Sequence, residues 1–214
     1  MKSLHKIAAS SALIEAALYI FGFALLLGAL NPGEAELSIA EKLSFYAENK
    51  VLYQIWILLI YVVFGVALVF LSFSLNGIFK EKQPVLSGVA NVFGYIWAVL
   101  VIASGMVTNI GLDAAVKLQT ENLQQASQLW LTIETLQNGL GGGVEVVGGI
   151  WVLLVTLAGR KGHHLNRALY VLGLLVGLAG ILTVIPGLSE IGALFGLLQI
   201  VWFAWIGIVL LKKN

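Results

Sequence analysis

The chain has 214 residues, 59 % of them apolar and 11 % charged, with a net charge of +1 and no cysteine. Water-soluble domains carry about a quarter charged residues, so with a mean hydropathy of +0.96 most of this chain is expected to face lipid. The missing cysteine excludes disulfides, thiolate metal sites and cysteine nucleophiles, and nothing in the balance of charge points to a nucleic-acid partner.

The start, MKSLHK followed by the apolar run Ile7–Leu30, is patterned like a secretory leader. The run is too long for a cleaved one and no A-x-A site closes it, so it is expected to be a retained first span. Runs of roughly 20 apolar residues can cross a bilayer. Five more follow: Val51–Phe79, Ser87–Ile110, Asn138–Ala158, Asn166–Ile185 and Ile191–Leu211. The expected fold is all-α, a single-domain bundle of six transmembrane helices over residues 1–214. The second run is long enough to tilt, or to emerge into water at one end.

Two connecting segments carry structure of their own. After Asn31-Pro32-Gly33, the pattern Ser38-Ile39-Ala40-Glu41 is a capping-box signature, and Leu37, Ala40, Leu43 and Ala47 share a helical face. Between Leu118 and Gln137, Ala126, Leu129, Trp130, Ile133 and Leu136 recur at helical spacing. That segment reads as a short amphipathic helix on the outer face with Trp130 at headgroup level, or as an outward extension of the fourth span.

Charge sets the expected orientation. Lys2, Lys6, Lys80, Lys82, Arg160, Lys161, Arg167, Lys212 and Lys213 fall on one side of the bundle, and only Lys42, Lys50 and Lys117 on the other. Loop positive charge marks the cytoplasm, which places both termini there. Glu34, Glu36, Glu41, Glu48, Asp113, Glu121, Glu134 and Glu190 then lie outside. Gly139/Gly143, Gly173/Gly177 and Gly192/Gly196 are small-xxx-small pairs, and Ala8, Ala12 and Ala16 form a similar series, all expected to let helices approach closely. Pro186-Gly187 turns the fifth span into the sixth.

Chemistry-bearing motifs are sparse. The histidines His5, His163 and His164 sit at cytoplasmic ends, so a mid-span haem pair and an HExxH zinc pair are excluded. GRKGHHLNR reads as a positive-inside anchor that meets anionic headgroups. Gly141-Gly142-Gly143 has no following lysine and enters a span, unlike a phosphate loop. No cofactor motif appears, and no nucleophile–base pair suggests an enzyme.

Two acids interrupt the spans. By helical rise, Glu15 lies about 5 Å to the cytoplasmic side of the middle of its run and Glu145 about 5 Å to the outer side of its own. On a continuous helix Gly141 and Gly149 stand four residues from Glu145, and Gly142 and Gly148 three, forming a face for a neighbouring helix, a ligand or water. Ser11 and Tyr19 flank Glu15 at four-residue spacing, and Tyr61, Tyr95, Ser104 and Gln199 fall near the same depth. No mid-span Lys or Arg neutralises either acid. An intramembrane carboxyl marks a functional site or else a protonated, hydrogen-bonded strut. The candidate proton or substrate pathway is therefore Glu15, Glu145, Tyr19, Tyr61, Tyr95 and Gln199. Residues 1–117 and 118–214 each hold three spans with an acid early in the first, the plan of an inverted repeat.

At GRKGHHLNRALYVLGLLVGLAGIL, a basic loop ending in Arg167 passes straight into a Gly/Leu-rich span. With KIAASSALIEAALYIFGFAL, the NPG turn and LNGIFKEKQPVLSGVANVFGYIWAVL, this resembles a large bacterial family of six-span integral membrane proteins catalogued as a domain of unknown function. The resemblance implies a bacterial inner-membrane setting and a six-helix fold, and brings no catalytic residues. Besides a membrane-embedded enzyme acting on lipid or quinone, for which no nucleophile–base or metal constellation is visible, two functional expectations are carried. One is a small proton- or cation-coupled carrier of an ion or small molecule that uses both glutamates. The other is a non-catalytic subunit or scaffold that binds lipid or a membrane partner. Oligomeric state is not encoded legibly.

Overall fold

A computed structural model describes residues 2–31, 33, 37–162, 164–185, 187–188 and 190–212. Pro32, Glu34, Glu36, His163, Pro186 and Lys213, named above, lie outside the described residues. Among the described residues every regular element is helical: α1 (Lys2–Leu27), α2 (Ile39–Glu48), α3 (Lys50–Phe79), α4 (Pro84–Gln119), α5 (Leu123–Gln137), α6 (Val146–Lys161), α7 (Arg167–Leu182) and α8 (Ile191–Leu211).

Five stretches are long and apolar enough to cross a membrane: α1, α3, α4, the run Leu123–Lys161 through α5 and α6, and α8. The fifth expected span, Asn166–Ile185, corresponds to α7, which is apolar but only 16 residues long. These helices are apolar nearly all round, which in a chain of this size marks a lipid solvent. Val85, Val89, Val92, Ile96 and Val99 line the outer face of α4 at helical spacing, and Val171, Leu175, Leu178 and Leu182 that of α7.

The helix starts are set locally. Pro84 opens α4 at a position where its missing N–H costs nothing. The Asn122 and Asn166 side chains cap α5 and α7 by accepting from the amides of Gln125 and Leu169 at 3.1 and 2.9 Å. The Ser38–Glu41 capping box forms as its sequence anticipates, with Ser38 N–H donating to Glu41 Oε2 at 2.8 Å and Glu41 N–H to Ser38 Oγ at 3.3 Å.

Six helices close a ring in the order α1, α3, α4, α6, α7, α8 and back to α1. Because lipid tails are as apolar as side chains, close packing rather than hydrophobic transfer holds such a ring together. Glycines supply that closeness where helices cross. A Cβ on Gly149 would lie 2.6 Å from Ile181 N and 2.7 Å from Gly177 O, so α6 and α7 touch backbone to backbone. One on Gly148 would strike the Trp97 ring at 2.7 Å, and one on Gly207 would come to 3.2 Å from Ala9 O. Of the three glycine pairs in the sequence, Gly173/Gly177 is tight at both members, whereas Gly139 and Gly192 meet nothing closer than 3.5 Å.

At mid-height the ring is filled by aromatic side chains. The Trp97 ring is tilted against Trp151 at 5.6 Å between centroids, and Trp151 meets Trp202 at 5.7 Å and Phe64 meets Trp97 at 5.6 Å edge-on. At one end, α5 packs on α4 and α2 packs on α5. Trp130, expected at headgroup level, is instead fully buried, 5.7 Å from the Tyr46 ring and 6.3 Å from that of Tyr53. Ala126, Trp130 and Ile133 of the apolar face of α5 are buried against α2, α3 and α4 rather than lipid, while Leu136 stays exposed. Asp113 on α4 pairs with Lys50 of α3 and, at 2.9 Å, with Lys117.

Candidate functional site

The sequence reading of a continuous helix through Glu145 does not hold. Beyond α5 the chain makes a wide turn over Asn138–Gly142, in which Gly141 takes φ +127°. Side-chain-bearing residues avoid that backbone region, and glycine enters it freely. Gly143 N–H and Val144 N–H both reach back to Asn138 O, at 3.3 and 3.1 Å, and α6 starts only at Val146. Glu145 is therefore the residue that begins α6, its carbonyl accepting the first helical bond from Gly149 N–H at 2.8 Å. Gly141 and Gly142 belong to the break itself, not to a packed helical face.

Backbone freed by a break needs partners. Thr183, at the end of α7 and almost fully buried, supplies one: its Oγ1 accepts from Glu145 N–H at 2.7 Å and donates to Gly180 O at 2.7 Å. Ser104 of α4 donates to Gln137 O at 3.1 Å, and Gln137 Nε2 donates to the Tyr61 hydroxyl at 2.7 Å. Tyr61 itself stands in a second wide turn, Leu58–Val63, inside α3. It packs on Gly105, where no side chain would fit, and its hydroxyl lies 3.0 Å from where a Gly142 Cβ would be.

Between the break and the aromatic layer the ring interior opens into a half-open cavity of about 420 Å³. Its walls come from the second half of α1 (Tyr19, Gly22, Phe23), the wide turn of α3 and its flanks (Trp56, Tyr61, Phe64), and α4 (Trp97, Val101). Gly141, Gly142, Gly143 and Glu145 close another side, and Glu190, Gly192, Ala193 and Gly196 at the start of α8 complete it. Trp56 is fixed by donating Nε1–H to Gly22 O at 2.9 Å. Glu145 Oε2 is buried and makes no hydrogen bond. A second cavity of about 280 Å³ adjoins the first, sharing Leu26, Trp56, Tyr61 and Gly142 as a common wall. It is lined by the polar Lys42, Glu134, Gln137 and Asn138.

Of the six pathway residues expected from the sequence, the structure brings Glu145, Tyr19 and Tyr61 to one cavity. Glu15, Tyr95 and Gln199 do not line it. Glu15 and Gln199 are fully buried, and neither carboxylate oxygen of Glu15 makes a hydrogen bond. At Glu15, α1 runs unbroken. Tyr19, one helical turn beyond Glu15 on α1, lines the same cavity as Glu145. Sequence reasoning missed Thr183, Gln137, Trp56 and Trp97. Thr183 is 38 residues from Glu145, and no local pattern marks that pairing. A three-glycine run beside an acid was a readable sign of a broken helix. Among the described residues no three His, Asp or Glu side chains gather as a metal site.

Compared with protein-family models, curated proteins and solved structures, the chain matches none.

Proposed function

We propose that this is a six-span protein of a bacterial inner membrane, with both termini cytoplasmic, and that it is a small proton- or cation-coupled carrier. α7 is the sixth span in this reading: its apolar outer face and its backbone contact with α6 seat it in the ring beside the five longer helices. The excess of basic residues at the α3–α4 and α6–α7 connections supports the orientation.

One observation carries the carrier reading: a broken helix delivers Glu145, with a free carboxylate oxygen, into a cavity of about 420 Å³ inside the ring. Irregular backbone within a span persists where it lines a cavity, and carriers place their sites at such breaks. An acid there can exchange a proton for a cation, because a lone carboxylate in a low-dielectric chamber favours either form of neutralisation. Glu15 is fully buried and does not line the chamber.

The test is reconstitution into liposomes loaded with a pH-reporting dye and challenged with inorganic cations, amines and neutral solutes. The expected result is substrate-dependent proton movement by the wild type that Glu145→Gln abolishes while its melting profile stays cooperative. Proton movement equal in both proteins, or none with any solute, would overturn the reading. The full burial of Glu15 away from the cavity supports the alternative, a non-catalytic subunit or scaffold that binds lipid or a membrane partner. That alternative predicts an inert protein in liposomes and a membrane partner that stays bound through purification.

A further inference from the structure

We propose that the cavity beside Glu145 binds an organic ammonium ion with an apolar body, such as an arylalkyl amine. The proposal names the substrate class for the carrier reading and rests on its premise that this cavity is a ligand site.

Charge complementarity points to a cation. Among the described residues the lining holds two carboxylates, Glu145 and Glu190, and no Lys, Arg or His. An anion would meet like charge at both. A neutral apolar guest would leave the buried Glu145 Oε2 without a partner, which a site built for such guests avoids. Glu145 also begins α6, and the positive end of a helix favours a negative charge at that position.

The walls decide which cation. A hard inorganic ion needs about six oxygen ligands, and this chamber offers two carboxylates, two tyrosines and a few carbonyls spread over several helices. Apart from those, it presents Phe23, Trp56, Phe64 and Trp97. Aromatic faces around a carboxylate are the surroundings in which an alkylated or arylated ammonium is held, the charge on the acid and ring faces and the hydrocarbon among the remaining walls. The volume of about 420 Å³ suits a small organic molecule. A strongly polar guest such as a sugar finds too few hydrogen-bonding groups.

The test compares three probes of one shape on protein in lipid nanodiscs: 2-phenylethylammonium, 2-phenylethanol and 3-phenylpropionate. Binding is read by calorimetry and by quenching of tryptophan fluorescence, since Trp56 and Trp97 line the chamber. Saturable ammonium binding at least tenfold tighter than either analogue is expected. In Glu145→Gln the ammonium should fall to within twofold of the alcohol, whose own binding is unchanged. Equal or tighter binding of the alcohol or the propionate would overturn the proposal. So would binding of none of the three, or an ammonium preference that survives Glu145→Gln.

Should that variant fail to fold, the wild type supplies the answer. Dicyclohexylcarbodiimide labelling of Glu145, read by mass spectrometry, should be blocked by 2-phenylethylammonium and not by 2-phenylethanol. Unblocked labelling, or label confined to Glu15, would overturn it equally. The two readings fail separately. Ammonium that binds yet drives no proton movement in liposomes sinks the carrier and leaves the ligand class standing. Proton movement driven by another solute class, with no ammonium binding, does the reverse.

Discussion

A single hydroxyl joins the start of α6 to the end of α7. Thr183 Oγ1 takes the amide hydrogen of Glu145 and gives its own to Gly180 O, so it sets where the acid's backbone begins. Thr183→Val keeps the shape and removes both bonds. Leaving a buried N–H unpaired costs about 1–3 kcal/mol, and a loss in that range is expected in a denaturant titration in mixed micelles, with Thr183→Ser close to wild type. Glu145 could be singled out from sequence because an acid in an apolar run is visible in one dimension. Its partner could not, because threonine is at home in any span and the pairing exists only once α6 and α7 are packed.

Two elements show the same contrast between local and distant causes. At α2, the side chain and backbone amide of Ser38 both donate to the Glu41 carboxyl and hold it below the ordinary glutamate range. A carboxyl lowered in the folded state supports the helix start above the unfolded-chain value and loses that support as pH falls through the lowered folded value. An NMR titration should place the Glu41 inflection below about 4.3, and Ser38→Ala should move it part of the way back, since the backbone amide at that position still donates. The same substitution should cost about 0.5–2 kcal/mol of cap stability. This capping box was legible because all of its partners lie within four residues. The α6–α7 crossing was legible only in part: small residues were visible in both helices, but which of them face each other was not. In Gly149→Ala the new methyl meets Ile181 N, Gly177 O and Gly180 C at 2.6–2.8 Å. Backbone atoms cannot rotate aside, so a loss of about 1–3 kcal/mol is expected. Gly139→Ala, with nothing within 4 Å, should be neutral in the same assay. The break at Gly141 escaped notice for a different reason. Hydropathy averages over LGGGVEVV as smoothly as over any helix, while the dihedral that ends the helix belongs to one glycine.

For the molecule as a whole, the lack of cysteine makes topology directly measurable. Single cysteines at Lys82, Gly162, Ser127 and Leu188 should react with an impermeant maleimide from opposite sides. The first two are expected to label only in inverted vesicles and the last two in intact cells. Labelling of Gly162 and Leu188 from the same side would remove α7 from the set of spans. The ring has one more property of this kind. Its first and last helices are antiparallel neighbours, with Ala9 O against Gly207, so Lys2 and Lys212 finish side by side. A short linker between them, with the chain reopened at Lys80–Gln83, gives a circular permutant in which every helix of the ring keeps its neighbours. Such a permutant should assemble and melt like the parent, because the circle of contacts has no seam that depends on where synthesis starts.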